Sequence, residues 1–220
     1  MARAEVRPLL IVGAGGHAKV VVDAARASGK YEILGILDQD STRWGEAILA
    51  VPILGDERLL LDRRLSSAAV VIAIGDNATR ARVAERLAAM GVTFATVVHP
   101  SSSLGEDVAL GHGTVVLAGV VVNSGSVVGR HVILNTSSSV DHDCRIGDFV
   151  HVSPGVRLAG GVHVGAHAHL GIGACAVPNV SIGAGSIVGA GAAVIADVAD
   201  AAVVVGVPAR PLKSAKEDVS

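Results

Sequence analysis

The sequence predicts two parts: an α/β domain with a parallel sheet over residues 1–100, and an all-β parallel β-helix over residues 101–200, followed by a tail over 201–220. Up to residue 99, apolar segments alternate with segments of helical spacing, which is typical of a parallel sheet covered by helices. From residue 104 a six-residue period replaces that alternation. Aromatic residues make up only 2% of the chain, which suits a narrow core of small side chains.

The first part consists of strands and helices in turn. Four apolar segments predict strands: 9–14, 31–38, 69–75 and 94–100. Three segments predict helices: 16–28, 56–64 and 77–91. The last helix is the clearest, with Asn77 as its expected cap and Gly91 as its end. Consecutive strand–helix–strand units of this kind form a parallel, Rossmann-like sheet.

Sixteen consecutive hexads run from residue 104 to residue 199 without an insertion. The first position is Leu, Ile or Val in fifteen of them, the fourth is Gly in eight, and the fifth is always small. Inward aliphatic and small residues, with corners that need unusual backbone angles, explain this pattern. It predicts a parallel β-helix whose coils each contain three hexads, so that residues 18 apart stack.

The bulk composition excludes some classes of protein. The formal net charge is −2, so nothing suggests a nucleic-acid partner. No apolar run approaches the ~20 residues of a membrane-spanning helix, and no signal-peptide cleavage site follows the N-terminus. Two cysteines, Cys144 and Cys175, provide no disulfide framework. We therefore expect a cytoplasmic protein that does not bind membranes.

The segment "GAGGHA" connects the first strand to the first helix. Gly13, Gly15 and Ala18 fit the pattern G-x-G-x-x-A, and Asp38 ends the second strand about twenty residues later. Backbone N–H groups at such a helix N-terminus can hold a diphosphate. The pattern alone is also compatible with a dinucleotide, or with a tight turn that binds nothing.

The hexads and three further segments carry a resemblance to a known family. The chain is similar to the hexapeptide-repeat sugar O- and N-acyltransferases in "IGDNATR", "LNTSSSVDHDCRIGDFVHVSPG" and "VGVPAR", and overall across residues 9–210. It most resembles the enzymes that acetylate a 4-amino-4,6-dideoxy sugar on a nucleoside diphosphate, as in the bacillosamine, perosamine and viosamine pathways. The resemblance implies a left-handed shaft, a homotrimer, acetyl-CoA as co-substrate in place of any permanently bound cofactor, and a role in polysaccharide biosynthesis.

The same resemblance implies a catalytic pair, His142 and Asp143. An amine that attacks a thioester must lose a proton, and a histidine with a pKa near the operating pH is a suitable base. A neighbouring carboxylate would raise its basicity and fix its tautomer. The family often has Glu where this chain has Asp143, and Asp141 is an alternative partner for His142.

The resemblance also implies two sets of binding residues. The expected acetyl-CoA contacts are His151, Gly171, Ile172, Gly189, Ala190 and Arg210. The expected nucleotide-sugar contacts are Gly13, Ala14, Gly15, Gly16, His17, Asp38, Gly75, Asp76 and Asn77. No metal site is expected.

Three alternatives remain open at this point. A sugar O-acetyltransferase of the sialic acid type would use the same base and donor. His131 and His167 lie 36 residues apart, two coils in register, as zinc ligands do on some β-helices, although Ile172 stands where a third ligand would be needed. A trimer that binds ligands without catalysis is the third.

Overall fold

The computed structural model describes residues 6–62, 65 and 67–212. Its first domain contains a five-stranded sheet in the order β3-β4-β2-β1-β5. The strands are β1 (Arg7–Val12), β2 (Tyr31–Leu37), β3 (Ala47–Ile48), β4 (Val51–Gly55) and β5 (Ala69–Ile72). Strands β1, β2, β4 and β5 run parallel, whereas β3 pairs with β4 as a short antiparallel hairpin. The carboxyl ends of β1, β2 and β5 therefore meet at one edge, which is where ligands bind in such sheets.

Two α-helices cover this sheet, α1 (Gly16–Ser28) and α2 (Asn77–Ala89). The expected cap at Asn77 is wrong, because Asp76 is the capping residue: its carboxylate accepts a hydrogen bond from the Thr79 N–H. The helix expected over 56–64 is a short 3-10 helix, Glu57–Leu61, and residues 63 and 64 lie outside the described part. Strand β4 was not predicted.

The segment expected as a last strand over 94–100 belongs mainly to the second part. Phe94 makes one bridge to Val70 in the first sheet. Val97–Val98 then pairs with Val115–Val116, a strand of the β-helix. The shaft therefore begins one hexad earlier than the repeat suggested, and the domain boundary near residue 100 stays a prediction.

The β-helix is a three-sided shaft of very short strands. Its first face contains Val97–Val98, Val115–Val116, Ile133–Leu134, His151–Val152, His169–Leu170, Ile187–Val188 and Val203–Val205, with Arg210–Pro211 added antiparallel. Its second face contains Ser103–Leu104, Val121–Val122, Ser139–Val140, Arg157–Leu158, Cys175–Ala176 and Ala193–Val194. Its third face contains Ala109–Leu110, Val127–Val128, Arg145–Ile146, His163–Val164 and Ser181–Ile182.

The stacking repeat of 18 residues is confirmed in every paired strand of the shaft up to residue 194; Val121 pairs with Ser139, for example, and Ser139 with Arg157. The fourth hexad position takes a left-handed backbone conformation in fifteen of the sixteen hexads. Eight of these fifteen are glycines, whereas Asp143, Phe149 and His167 adopt the same conformation with a side chain. The first and fifth positions form the buried core of the shaft, in which Cys144 is fully buried, as predicted.

Five aromatic and imidazole rings stack along the junction between the domain and the shaft. Phe94 and His112 lie at one end, and the rings of His131, Phe149 and His167 continue the stack up one corner of the shaft, where residues 18 apart follow one another. The Phe149 ring stacks on both histidines, with centroid distances of 5.1 Å each. His131 and His167 therefore do not converge on a common point, which argues against a zinc site built on them.

Among the described residues, no helix is long and apolar enough to cross a membrane.

At some second positions of the hexads, the stacked coils leave no room for a side chain. A methyl group at Gly165 would lie 2.4 Å from the backbone nitrogen of Ala184 in the next coil, and a backbone atom cannot move aside. We expect Gly165→Ala to lower the free energy of unfolding by about 1–3 kcal/mol, as overpacking does. Thermal and urea unfolding would measure this. Gly16→Ala is the control, since a methyl there meets nothing within 4 Å; equal stability of both variants would contradict the close stacking.

Candidate active site

The glycine loop lies at the sheet edge where β1 and β2 end. Its Ala14 N–H donates to Asp38 Oδ2 at 2.6 Å, and Asp38 Oδ1 accepts from the Asp40 N–H at 2.9 Å. Asp38 therefore holds the loop against the end of β2. The N–H groups of Gly16 and His17 lie in the first turn of α1, where a helix offers no acceptor of its own. These two groups are available for an anion.

The loop after β5 faces the shaft. The Asn77 side-chain amide donates to the backbone carbonyls of His167 and Ala168, at 2.9 and 3.1 Å. The Gly75 carbonyl lies 3.2 Å from His151 Nδ1. Residues expected to bind the nucleotide-sugar thus contact the shaft beside a residue expected to bind acetyl-CoA. The ligand roles of Gly75, Asp76 and Asn77 stay predictions.

Two adjoining cavities lie on the first face of the shaft. One of about 640 Å³ is lined by Gly75, Asp76, Asn77, Ala78, His151, His167, His169, Gly185 and Ile187. The other, of about 470 Å³, is lined by Asn135, His151, Ser153, Pro154, His169, Gly171, Ile172, Ile187, Val188, Gly189 and Ala190. Five of the six expected acetyl-CoA residues line the second cavity. Arg210 lines neither; it is exposed on the added antiparallel strand, and its expected contact with a CoA phosphate stays a prediction.

The hydrogen bonds around His151 determine its tautomer. The Asn135 Oδ1 atom accepts from the Thr136 N–H at 2.8 Å, so Asn135 Nδ2 is the group that faces His151 Nε2, at 3.2 Å. An amide NH₂ can only donate, and therefore Nε2 must accept. The proton lies on Nδ1, which donates to the Gly75 carbonyl.

Three histidines close to this cavity are held neutral. Burial lowers the pKa of His151 to about 3, with His169 and Arg80 adding to the effect. Burial and then Arg80 lower the pKa of His17 to about 4, and its ring centroid lies 6.4 Å from that of His151. The pKa of His169 is also lowered, first by burial. None of the three is suited to accept a proton at neutral pH.

The strongest link between domain and shaft is the Arg80 guanidinium, which is 1% exposed. It donates from Nε to the His131 carbonyl, from Nη1 to the carbonyls of Ile74 and Gly75, and from Nη2 to the Phe149 carbonyl and Asn77 Oδ1. These five acceptors match the five N–H groups of an arginine.

His142 lies at a corner of the shaft, between its second and third faces. Its Nδ1 atom is 2.9 Å from Asp143 Oδ2, while the backbone N–H donates to Asp141 Oδ1. The Asp143 hydrogen bond and then the Asp141 charge raise the pKa of His142 above its ordinary value. Asp143 is thus the partner of the ring. The side chain of His142 is 63% exposed, so Nε2 is open to solvent.

Two glycines flank this pair along the shaft. A methyl group at Gly160 would lie 2.5 Å from His142 Cε1 and Nε2, and one at Gly125 would lie 2.7 Å from Asp143 Oδ1. The imidazole therefore rests on Gly160 in the next coil, and the carboxylate over Gly125 in the preceding one. Small residues at both positions make room for the pair.

Within one chain the His142 corner and the cavities lie on opposite sides of the shaft. His151 and His169 belong to strands of the first face, whereas the corner that carries His142 joins the other two faces. In a three-sided shaft, such a corner is opposite the remaining face. The structure thus separates the expected base from the expected acetyl-donor cavity.

Comparisons with known proteins identify the family of this chain. Residues 8–87 match the family profile of the PglD N-terminal domain. PerB from Caulobacter crescentus, crystallised in complex with CoA and GDP-perosamine, is 40% identical, with a TM-score of 0.87 over 94% of this chain and 97% of PerB. The chain belongs to the hexapeptide-repeat nucleotide-amino-sugar acetyltransferases.

Two further relatives extend the comparison. The acetyltransferase domain of PglB from Neisseria gonorrhoeae, in complex with acetyl coenzyme A, is 37% identical, with a TM-score of 0.88 over 94% of this chain and all of that domain. The GDP-perosamine N-acetyltransferase of Escherichia coli O157:H7 is 35% identical over 119 residues, 52% of this chain. The chain spans about half the length of the curated relatives it matches, 54% of this one. The predicted fold class, including the left-handed shaft, is confirmed by the matches to solved structures.

Sequence reasoning missed three features of the site. Arg80 was visible only as the last residue of "IGDNATR", and Asn135 only as part of "LNTSSSVDHDCRIGDFVHVSPG". His169 could be placed only by its position 18 residues after His151. A sequence signal did exist for the ring stack, since His131, Phe149 and His167 recur every 18 residues at a position usually occupied by glycine.

The two acids beside His142 can be distinguished by NMR titration. Because the pKa of His142 is raised, its ring should stay protonated to a higher pH than an ordinary histidine. Asp143→Asn removes the largest cause and should lower that pKa more than Asp141→Asn does. A larger decrease in Asp141→Asn would make Asp141 the partner. His151 is the internal control, since its signals should not titrate above pH 5 in any of these proteins.

Proposed function

We propose that this protein is an acetyl-CoA-dependent N-acetyltransferase that acetylates the 4-amino group of a nucleotide-linked 4-amino-4,6-dideoxy sugar. The observation that carries the proposal is the match, over nearly both chains, to an enzyme crystallised with CoA and GDP-perosamine. The cavities and the His142–Asp143 pair supply the groups that such a reaction needs.

The reaction is a direct transfer between the two bound substrates. The sugar amine attacks the thioester carbonyl, and His142 Nε2 takes the proton that the nitrogen loses. The tetrahedral intermediate then expels the CoA thiolate, which recovers a proton from the imidazolium. Asp143 holds the proton on Nδ1, so that Nε2 is the free acceptor, and stabilises the charged ring.

Cys144 takes no part in this chemistry. Its thiol is buried in the shaft core, and burial raises its pKa, so that it is a poor nucleophile.

The acetyl donor occupies the cavity lined by His151 and the paired glycines. A side chain at Gly171 would lie 2.6 Å from the Ala190 nitrogen, and one at Gly189 would lie 2.8 Å from Val205 Cγ1. Gly171 therefore has no room for a larger side chain, and at Gly189 a side chain would have to displace Val205. The two glycines leave a wall of backbone along which an extended pantetheine arm fits. Neutral His151 lines this cavity without competing for the amine proton.

The active site is built from two copies of the chain. His142 and the donor cavity lie on opposite sides of one shaft, so the base must come from a neighbouring copy. A ring of three copies satisfies this requirement for every site, because each copy offers its cavity to one neighbour and its His142 corner to the other. We therefore propose a homotrimer, and we expect it to work in the cytoplasm.

The first domain binds the nucleotide-sugar. Gly16 and His17 offer backbone N–H groups to the diphosphate. Their loop lies beside the cavity, because the His17 ring is close to the ring of His151, which lines it. The alternative acceptor is a hydroxyl on a sugar of the sialic acid type. The same base and donor would serve it, and the choice of acceptor is a question for experiment.

The acceptor can be identified by thiol release from acetyl-CoA with a panel of GDP-, UDP- and dTDP-linked 4-amino-4,6-dideoxy sugars, sialic acid and serine. We expect turnover with one of the amino sugars and a loss of at least about 100-fold in His142→Ala, the usual contribution of a general base. Turnover with sialic acid alone would support O-acetylation. Arg58→Ala is the control and should retain full activity, because Arg58 is exposed on the 3-10 helix of the first domain and bonds Asp56 there.

Sharing of sites between copies can be tested by mixing two inactive variants. His142→Ala keeps the donor cavity and lacks the base, whereas a variant with Ala190→Trp keeps the base and carries a bulky side chain at an exposed position of the donor cavity. After co-expression in equal amounts, roughly a quarter of the sites of a trimer should combine two intact halves, and activity should return to that level. No recovery in mixed trimers would mean that each site is built by one chain.

A further inference from the structure

The Arg80 guanidinium and His151 share one acceptor, the Gly75 carbonyl. Arg80 Nη1 donates to this oxygen at 3.0 Å, and His151 Nδ1 donates to it at 3.2 Å. A carbonyl oxygen has two lone pairs, so it can accept both hydrogen bonds at once. The same Nη1 nitrogen also donates to the neighbouring Ile74 carbonyl at 2.9 Å, and this second bond further restrains the position of the Gly75 oxygen.

The remaining guanidinium bonds tie the same loop to the shaft. Nε and Nη2 bond the carbonyls of His131 and Phe149 in two successive coils, at 2.9 and 2.8 Å. Nη2 also bonds Asn77 Oδ1 at 2.8 Å, which turns the Asn77 NH₂ group towards the shaft carbonyls. The loop from residue 74 to 77 is thus fixed relative to the coil that carries His151.

On its other side, the His151 ring contacts the second cavity. Its Nε2 atom accepts from Asn135 Nδ2, and Asn135 lines the same cavity. An Nε2–H tautomer would place two donors against each other here and would leave the Gly75 carbonyl without its histidine donor. A change at Gly75 would therefore reach the cavity through the ring.

We propose that Arg80 is a positioning residue of the acetyl-donor cavity: through the Gly75 carbonyl it fixes His151 as the neutral Nδ1–H tautomer, with Nε2 directed at Asn135. The charge of Arg80 also favours the neutral form of His151, since the guanidinium lies near an imidazole ring that is already buried. The charged or titratable groups that face His151 are Arg80, His17 and His169, and all three disfavour the protonated ring. The assignment of this cavity to the acetyl donor rests on the proposed function, whereas the tautomer of His151 does not.

The test is made first on the ligand-free protein. Long-range proton–nitrogen NMR correlations, assigned with a His151→Gln variant, should show a protonated Nδ1, an unprotonated Nε2 and no titration above pH 5. The Nη protons of Arg80 should appear as separate, slowly exchanging signals, because all are hydrogen-bonded. An Nε2–H tautomer, titration near pH 6.5 or averaged Arg80 signals in the wild-type protein would overturn the proposal, and no Arg80 variant is needed for this result.

Two substitutions then separate the effect of the hydrogen-bond geometry of Arg80 from the effect of its charge. Arg80→Lys keeps the charge and loses the fork of donors, so we expect mixed tautomers with a pKa that stays low. Arg80→Met loses both, so the pKa of His151 should rise, while burial, the largest cause, still holds it below its ordinary value. Arg82→Met is the matched control on the same helix, since Arg82 is exposed and contacts Thr79 within α2. Unchanged His151 signals in a folded Arg80→Lys protein would overturn the proposal.

Activity provides a second readout. We expect Arg80→Lys to lower kcat/KM for acetyl-CoA by on the order of 10- to 100-fold, the range found when a group that orients a functional histidine is removed. Unchanged kcat/KM together with altered His151 signals would refute the positioning role. If the wild-type protein transfers no acetyl group at all, the proposed function fails, and the NMR result still decides the tautomer.

Discussion

The arrangement of this protein depends on one buried charge. Arg80 carries a guanidinium into the junction between a parallel sheet and a β-helix, where water cannot solvate it. Burial of an ion is tolerated only when its hydrogen-bonding groups are satisfied, and here five oxygen atoms from both sides meet five N–H groups. This requirement fixes the distance and the angle between domain and shaft within the tolerance of a hydrogen bond. The shared apolar core that includes Val97, Val115 and Leu117 holds the two parts together, and the directional bonds of Arg80 add the orientation.

A second constraint comes from the shaft, which supplies surfaces that repeat every 18 residues. Columns of equivalent positions run along it, and the functional groups occupy different columns. His151 and His169 lie on one face, the ring stack runs along one corner, and His142 lies at another corner. The chemistry is therefore distributed around the cross-section of the prism. A single chain presents its His142 corner and its His151 face on opposite sides, and the proposed trimer would bring these two surfaces of neighbouring copies together.

Much of this architecture was predictable from the sequence, because it follows from local rules. The hexad pattern predicted the buried column through Cys144 and the left-handed corners, since each position experiences the same environment in every coil. The grouping of Gly171, Ile172, Gly189 and Ala190 came from the resemblance to a known family, and their common stacking interval explains why they line one cavity.

The features that were missed depend on contacts between distant parts of the chain. Nothing in the local sequence around Arg80 shows that its acceptors are carbonyls 51 and 69 residues away. The choice of Asp76 over Asn77 as the helix cap follows from the need of Asn77 to reach the shaft. The separation of His142 from the cavity required the order of the three faces, which the repeat alone does not reveal.

The strict hexad count also limits how the length of such a shaft can change. Insertion of one hexad would advance every later residue by one face, so that Gly189 and Ala190 would leave the face that carries His151. Insertion of three hexads would restore the faces and lengthen the column by one coil. Relatives with longer or shorter shafts should therefore differ by whole coils of 18 residues between His151 and the C-terminal strand, whereas loops bulging from a corner can have any length.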